Sequence, residues 1–176
     1  MPESASVEID PRLLDSPESI IEFCKQNNFF TNDVLNLESF IDAHPSLRLA
    51  FEPLGANDAY IKKIGDEQFL IVVNSEHPRT RQRFSMAHEL AHYFLHRDKI
   101  AQMPEGERIL HRNDERNSIE YQANDFAANL LMPESTYRQL IQSTSGNVAQ
   151  MSSRLGLSTL AIRFRALNLG IDGHGL

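Results

Sequence analysis

The residues best suited to chemistry lie in the stretch RQRFSMAHELAHYFLH, at positions 81–96. It contains His88, Glu89 and His92 in the order His-Glu-x-x-His, followed by His96. On a helix the first two histidines are one turn apart, roughly 6 Å along the axis, so both imidazoles can reach one cation from the same side. A carboxylate between them can accept a proton from a metal-bound water. The spacing therefore indicates a hydrolytic metal site.

Helical periodicity separates these polar residues from a predicted core. With His88 at the origin of a helical wheel, His92 falls at about 40° and Glu89 at about 100°. The arc from about 200° to about 340° is apolar; it holds Phe84, Ala87, Leu90, Ala91, Phe94 and Leu95. His96 lies roughly 12 Å from His88 along the axis, too far to share the ion on a straight helix. We predict that His96 is either a surface residue or a support for a ligand.

The third ligand is predicted on a second helix, which spans about residues 115–132. In the stretch SIEYQANDFAANLLMP, Glu120 borders the apolar face, where a carboxylate is costly to desolvate unless a cation pairs with it. Two histidines and one glutamate, with a fourth position for water, form an established catalytic zinc set. Asn124, one turn later, can hydrogen-bond a ligating histidine or the carboxylate. The alternatives are a chance His-Glu-x-x-His match and a peripheral ion pair for Glu120.

The elements that must position these helices predict an α+β fold. Residues 47–51, 59–64 and 68–73 are rich in β-branched and aromatic types, and we predict three strands of a small antiparallel sheet, packed on a zincin-like helical core. Ser16 is a predicted N-cap of a first short helix, residues 36–45 predict a second, and Thr80 is a predicted N-cap of the long helix. We assign residues 1–134 to one domain that carries the predicted metal site, with residues 1–45 as a helical lead-in.

Residues 135–176 are predicted to form a C-terminal helical segment that resembles a helix-turn-helix. Within it, residues 147–170 indicate two short helices joined at Gly156, with Ser158 capping the second. Eight apolar positions are predicted to pack this pair against the rest of the protein: Val148, Met151, Leu155, Leu157, Leu160, Ile162, Phe164 and Leu167. DNA binding would use Arg163 and Arg165 on the second helix. The interpretation we favour is structural, with contact to DNA or to a repressor as the alternatives.

Composition sets the broad class of the protein. The 176 residues are enough for one domain with a sizeable core, and the net charge is −7. Cys24 is the only cysteine, which excludes an internal disulfide. The chain has neither a basic N-terminal region leading into an apolar run nor a continuous apolar stretch of membrane-spanning length. We therefore predict a cytoplasmic protein that does not enter a membrane.

Two motifs resemble those of the ImmA/IrrE family of metallopeptidases: the His-Glu-x-x-His stretch, preceded by a strand ending IVVN, and EYQANDFAANLLMP. The resemblance covers roughly residues 45–170. It implies His88, His92 and Glu120 as zinc ligands and Glu89 as the catalytic carboxylate. The family's glycine before the second motif histidine is Ala91 here, a change between small residues. The choice between zinc and manganese stays open, as does a second oxyanion donor, for which the candidates are Tyr93, Tyr121, His77, His111 and Arg112.

Members of this family are typically encoded beside helix-turn-helix repressors, which they cleave or inactivate. The function implied by the resemblance is therefore a zinc-dependent endopeptidase that cleaves a specific protein, a helix-turn-helix repressor encoded nearby, and so derepresses genes. The alternative is a partner that sequesters a repressor or an antitoxin without cleaving it, in which zinc is structural. Glu89 favours the enzyme, because a purely structural zinc site is usually closed by a fourth protein ligand.

Overall fold

A computed structural model describes residues 8–103 and 114–171 of the chain. Ahead of the main sheet lie a 3-10 turn (Pro11–Leu13), helix α1 (Pro17–Gln26), the hairpin strands β1 (Phe30–Thr31) and β2 (Val34–Leu35), and helix α2 (Leu37–Ala43). The side chain of Ser16 accepts the N–H of Ser19 at 3.1 Å, which confirms this N-cap. The hairpin was not predicted, because strands of two residues are too short to show alternation.

Within the described residues the main sheet has three strands, β3 (Leu47–Glu52), β4 (Ala59–Gly65) and β5 (Gln68–Asn74), in the order β3-β5-β4. The α+β class and all three strands are confirmed. β4 pairs with β5 antiparallel as predicted, but β3 pairs with β5 in parallel, with Leu47 opposite Phe69, so the sheet is mixed. β3 and β5 run in the same direction because β5 lies between β3 and β4 instead of at the outer edge of β4. The apolar run of β5 from Phe69 to Val73, with four of its five residues buried, suits this central position.

Two long helices, α3 (Arg79–Ala101) and α4 (Asp114–Leu131), pack together, and α3 also packs on the sheet. Small residues let the two helices approach closely; Ala87, Ala91, Ala123 and Ala127 are all fully buried. Ala91, which stands where the motif that it resembles has glycine, is thus accommodated without solvent access. α3 begins at Arg79 after Pro78 and has no side-chain cap, so the prediction of Thr80 as its N-cap is wrong. Proline can stand there because this position needs no N–H donor, while its carbonyl accepts the N–H of Gln82 at 3.0 Å and so begins the helical hydrogen bonds.

Three further helices follow in the described part of the chain: α5 (Glu134–Thr144), α6 (Val148–Leu155) and α7 (Thr159–Asn168). Gly156 ends α6 with a φ of 63°, a conformation that favours glycine, and the side chain of Ser158 accepts the N–H of Ala161 at 3.1 Å. The predicted pair of helices joined at Gly156 is therefore confirmed. The division of the chain into residues 1–134 and 135–176 stays a prediction.

The buried face of α7 differs from the prediction. Five of the eight apolar positions are buried, but Leu160, Phe164 and Leu167 are 60–73% exposed. Arg165 was predicted to be available to DNA, yet it is 3% exposed and donates to the carbonyl of Met132 and to Oδ1 of Asn129, each at 2.9 Å. Residues 162, 165, 166 and 169 lie on one face of the helix, and this face turns inward. The three apolar residues lie on another face.

In the part of the chain that the structure describes, no helix combines the length and the apolar character that crossing a membrane requires.

Candidate metal centre

Three predicted ligands meet between α3 and α4. His88 and His92 lie one turn apart on α3, and their Nε2 atoms are 3.0 Å apart. The Glu120 carboxylate from α4 faces both histidines: its Oε2 lies 3.0 Å from Nε2 of His88, and its Oε1 lies 3.2 Å from Nε2 of His92. The close packing of the two helices therefore places three metal-binding atoms around one point.

The spacing of these atoms fits a small tetrahedral ion. Zinc binds imidazole nitrogen and carboxylate oxygen at about 2.0–2.2 Å, so neighbouring ligand atoms of a tetrahedral site are about 3.3 Å apart. The observed separations of 3.0–3.2 Å are close to this value. Among the residues that the structure describes, two imidazoles and one carboxylate converge here and leave a fourth position for water, as a catalytic site requires. The residues present fit a metal ion such as zinc.

The carboxylates of Glu120 and Glu89 attract positive charge to the centre. Burial opposes ionisation of Glu120, but its hydrogen bonds with His88 and His92 outweigh burial and hold the pKa of its carboxyl well below the ordinary range. Burial lowers the pKa of His92 even though Glu120 acts in the opposite direction. At His88 burial is outweighed by Glu120 and Glu89, so its pKa is raised. A cation bound here replaces the proton that these carboxylates attract.

Glu89 is buried beside the centre, 7% exposed, on the turn of α3 that carries His88. Burial raises the pKa of its carboxyl to about 7; the nearby His88 acts against this rise and Glu120 adds to it. A carboxyl with a pKa near neutrality can both accept and return a proton under ordinary conditions. The pair of carboxylates is thus divided by environment: Glu120 stays ionised, while Glu89 can exchange a proton.

Hydrogen bonds outside the ligand set hold the two histidines. Oδ1 of Asn124 lies 2.8 Å from Nδ1 of His88, on the ring edge opposite Glu120. Nδ1 of His96 lies 3.0 Å from Nδ1 of His92, and its Nε2 lies 2.8 Å from Oε1 of Gln122. His96 is 6% exposed, so of the two predictions made for it the support of a ligand agrees with the structure and the surface position is wrong.

Gln122 was missed by the sequence analysis. A helical wheel places it about 200° from Glu120, so periodicity gave no reason to expect it at this centre. It reaches the centre because His96 extends the polar side of α3 by one more turn, toward a different part of α4.

The candidates for a second oxyanion donor differ in their burial and in their contacts. Tyr93 is 3% exposed and packs among the rings of Phe69, His44 and Phe94, within the core. His77 lies 3.2 Å from the side chain of Asn74 and 3.3 Å from that of Asp58. Tyr121 is 65% exposed and follows Glu120 directly. His111 and Arg112 lie outside the described residues.

A cavity of about 760 Å³ adjoins the centre on the side of Asn124. It lies between α3, α4 and α7, and its lining includes Ser85, Tyr121, Asn124, Met132, Leu160 and Phe164. Leu160 and Phe164, two of the exposed apolar residues of α7, thus line a concave surface that reaches Asn124, the partner of His88. A cavity of this size and character accepts apolar side chains of a bound molecule.

Comparison with known proteins agrees with the geometry. The model of a peptidase family described as the IrrE N-terminal-like domain matches residues 43–167, more than two thirds of the chain. The radiation response metalloprotease IrrE of Deinococcus radiodurans is 32% identical over 122 residues, which are 65% of this chain and 34% of that protein. The alignment therefore spans about a third of the relative's length. The matched region contains both helices of the metal centre, and the chain belongs to the ImmA/IrrE family of metallopeptidases.

Proposed function

We propose that the protein is a zinc-dependent endopeptidase of the cytoplasm that cleaves a helix-turn-helix transcriptional repressor and thereby derepresses genes. The observation that carries this proposal is the convergence of His88, His92 and Glu120 within 3.0–3.2 Å of one another, with the buried Glu89 beside them. The ligand set found in the described part of the chain supports hydrolysis rather than a structural site, because three protein ligands leave room for water. The relative named a metalloprotease supports peptide bonds as the target.

The residues of the chain have separate tasks in this reaction. When bound, zinc would supply a Lewis acid that polarises the scissile carbonyl and makes a water acidic enough to react near neutral pH. Glu89 accepts one proton from the attacking water and carries it to the nitrogen of the leaving amine, so the amide bond breaks into an acid and an amine. Asn124 holds His88 in the orientation that the ligand set requires.

The cavity beside the centre supports a polypeptide substrate. Its apolar wall, formed in part by Leu160 and Phe164, lies next to Asn124 and therefore close to the scissile position. A polypeptide whose scissile bond reaches Glu89 can place a flanking apolar side chain in this cavity. The repressor itself is proposed from the resemblance of the two motifs to those of the family.

The decisive experiment incubates the zinc-loaded protein with the helix-turn-helix regulator encoded beside it and reads the products by intact mass. We expect one defined cut with the wild type and none with Glu89→Gln, which keeps its shape and cannot accept the proton. Both proteins should bind zinc, because Glu89 lies outside the ligand set. Glu22→Gln, on the exposed side of α1, is the matched control and should cut normally. Cutting by Glu89→Gln would contradict the proposed role of Glu89.

The exposed apolar face of α7 favours one alternative function, the sequestering of a repressor or an antitoxin without cleavage. Leu160, Phe164 and Leu167 together offer a surface that a protein partner can cover. In that case the wild type and Glu89→Gln would both form a complex with the regulator, and the regulator would keep its full mass in both incubations. The same incubation, followed by size-exclusion chromatography, separates the two functions.

A further inference from the structure

The two ring nitrogens of His92 face different partners. Nε2 faces the metal-binding side, 3.2 Å from Oε1 of Glu120. Nδ1 faces the protein interior, 3.0 Å from Nδ1 of His96. On its other edge His96 continues the contact through Nε2, 2.8 Å from Oε1 of Gln122. A line of polar contacts therefore runs from a ligand histidine through a second, buried histidine to an amide.

Metal binding would fix the direction of every hydrogen bond in this line. A neutral imidazole that gives its Nε2 lone pair to a metal carries its proton on Nδ1, so His92 donates from Nδ1. Nδ1 of His96 must then be the acceptor, which places the proton of His96 on Nε2. That Nε2–H points at the amide oxygen of Gln122, which is an acceptor. The polarity that the metal demands agrees with the groups found at each position.

We propose that His96 is a positioning residue of the metal centre: it accepts the Nδ1–H of His92 and so holds the tautomer and ring orientation that present Nε2 to the ion. Gln122 in turn fixes the tautomer of His96. The arrangement parallels that at the other histidine ligand, where Oδ1 of Asn124 faces Nδ1 of His88. Each histidine ligand would then have its own acceptor. This proposal rests on the metal site of the proposed function, but not on peptide cleavage.

A purely structural role for His96 makes different predictions, because a buried ring at this place also fills space. His96→Phe keeps a ring of similar size and removes the acceptor, so Nδ1–H of His92 loses its partner. His96→Asn is smaller, but its Oδ1 occupies nearly the position of the lost Nδ1 and can accept the same hydrogen bond. If the hydrogen bond matters, asparagine restores function better than phenylalanine. If filled volume matters, the order is reversed.

The first test measures the zinc dissociation constant of the full chain by competition with a chromophoric chelator. We expect His96→Phe to bind zinc about 10–100-fold more weakly, the usual effect of removing such a partner, and His96→Asn to recover most of that loss. His44→Phe is the matched control: His44 is also a buried histidine, at 1% exposed, but lies outside the centre, and its zinc affinity should be unchanged. Wild-type zinc affinity in His96→Phe, with only a lower unfolding temperature, would overturn the proposal.

The second test needs no variant and so remains decisive if His96→Phe does not fold. In zinc-loaded wild type with 15N-labelled histidine, NMR correlations between ring protons and nitrogens report each tautomer. We expect the proton of His92 on Nδ1 and that of His96 on Nε2. A proton on Nδ1 of His96 overturns the proposal, because that nitrogen could not accept. Zinc binding with these tautomers but without cleavage of any repressor would refute the proposed endopeptidase and leave the role of His96 intact.

Discussion

His44 makes the stability of the fold dependent on pH. Its ring is 1% exposed, lies between the rings of Phe40 and Tyr93, and accepts the backbone N–H of Ser46 through Nδ1 at 3.2 Å. Burial lowers the pKa of His44 from 6.5 to about 4. Protonation would put a charge in the core and remove the acceptor that Ser46 uses, so the folded protein resists it.

The sign and size of the effect follow from linkage. Between about pH 6.5 and about pH 4 the unfolded chain binds a proton at His44 and the folded chain does not, so stability falls as the pH falls. The difference between pKa values of 6.5 and about 4 corresponds to about 3 kcal/mol when the whole range is crossed. Between about pH 7.5 and about pH 5, the loss from this group is roughly 2 kcal/mol.

Urea unfolding of the metal-free protein at these two pH values measures the effect, with His44→Asn as the comparison. The Oδ1 of asparagine can still accept from Ser46, and the side chain does not titrate. The variant is expected to be less stable at both pH values because it leaves a void, but to lose roughly 2 kcal/mol less than the wild type between them. Other titrating groups affect both proteins alike. Equal losses in the two proteins would refute the argument.

Two further substitutions test the C-terminal helices. Arg165→Met should lower the free energy of unfolding by about 2–3 kcal/mol, because it leaves the carbonyl of Met132 and the amide oxygen of Asn129 without their charged donor. The control Arg163→Met, at an exposed position, should change this free energy little. Similar losses in the two variants, measured by urea unfolding, would contradict the assigned role of Arg165. Phe164→Ser should leave stability within about 0.5 kcal/mol. It should raise KM for repressor cleavage more than it lowers kcat, and an unchanged KM would show that the cavity does not bind the substrate.

The elements around the metal centre were predictable because their patterns are long and local. His88 and His92 are related by a single helical turn, and the apolar stripe beside them fixes which side faces out. Glu120 was found through its position at the edge of an apolar face, where a carboxylate needs a cation. The pairing of β3 was not predictable in this way. Whether β5 lies between β3 and β4 or at the outer edge of β4 depends on where residues 53–58 carry the chain after β3. Strand periodicity carries no information about that path.

Arg165 shows why residue type alone was misleading on α7. An arginine between apolar residues was expected to face solvent, but its guanidinium donates to the carbonyl of Met132, the residue after α4. Ile162 and Ala166 are buried on the same face of α7 as Arg165. The solvent-exposed face of α7 therefore carries Leu160, Phe164 and Leu167, together with a single arginine, Arg163. Binding to nucleic acid phosphates depends on several exposed cations, and this face offers one. We accordingly expect a partner of α7 to be recognised through apolar side chains, with an affinity that changes little with salt.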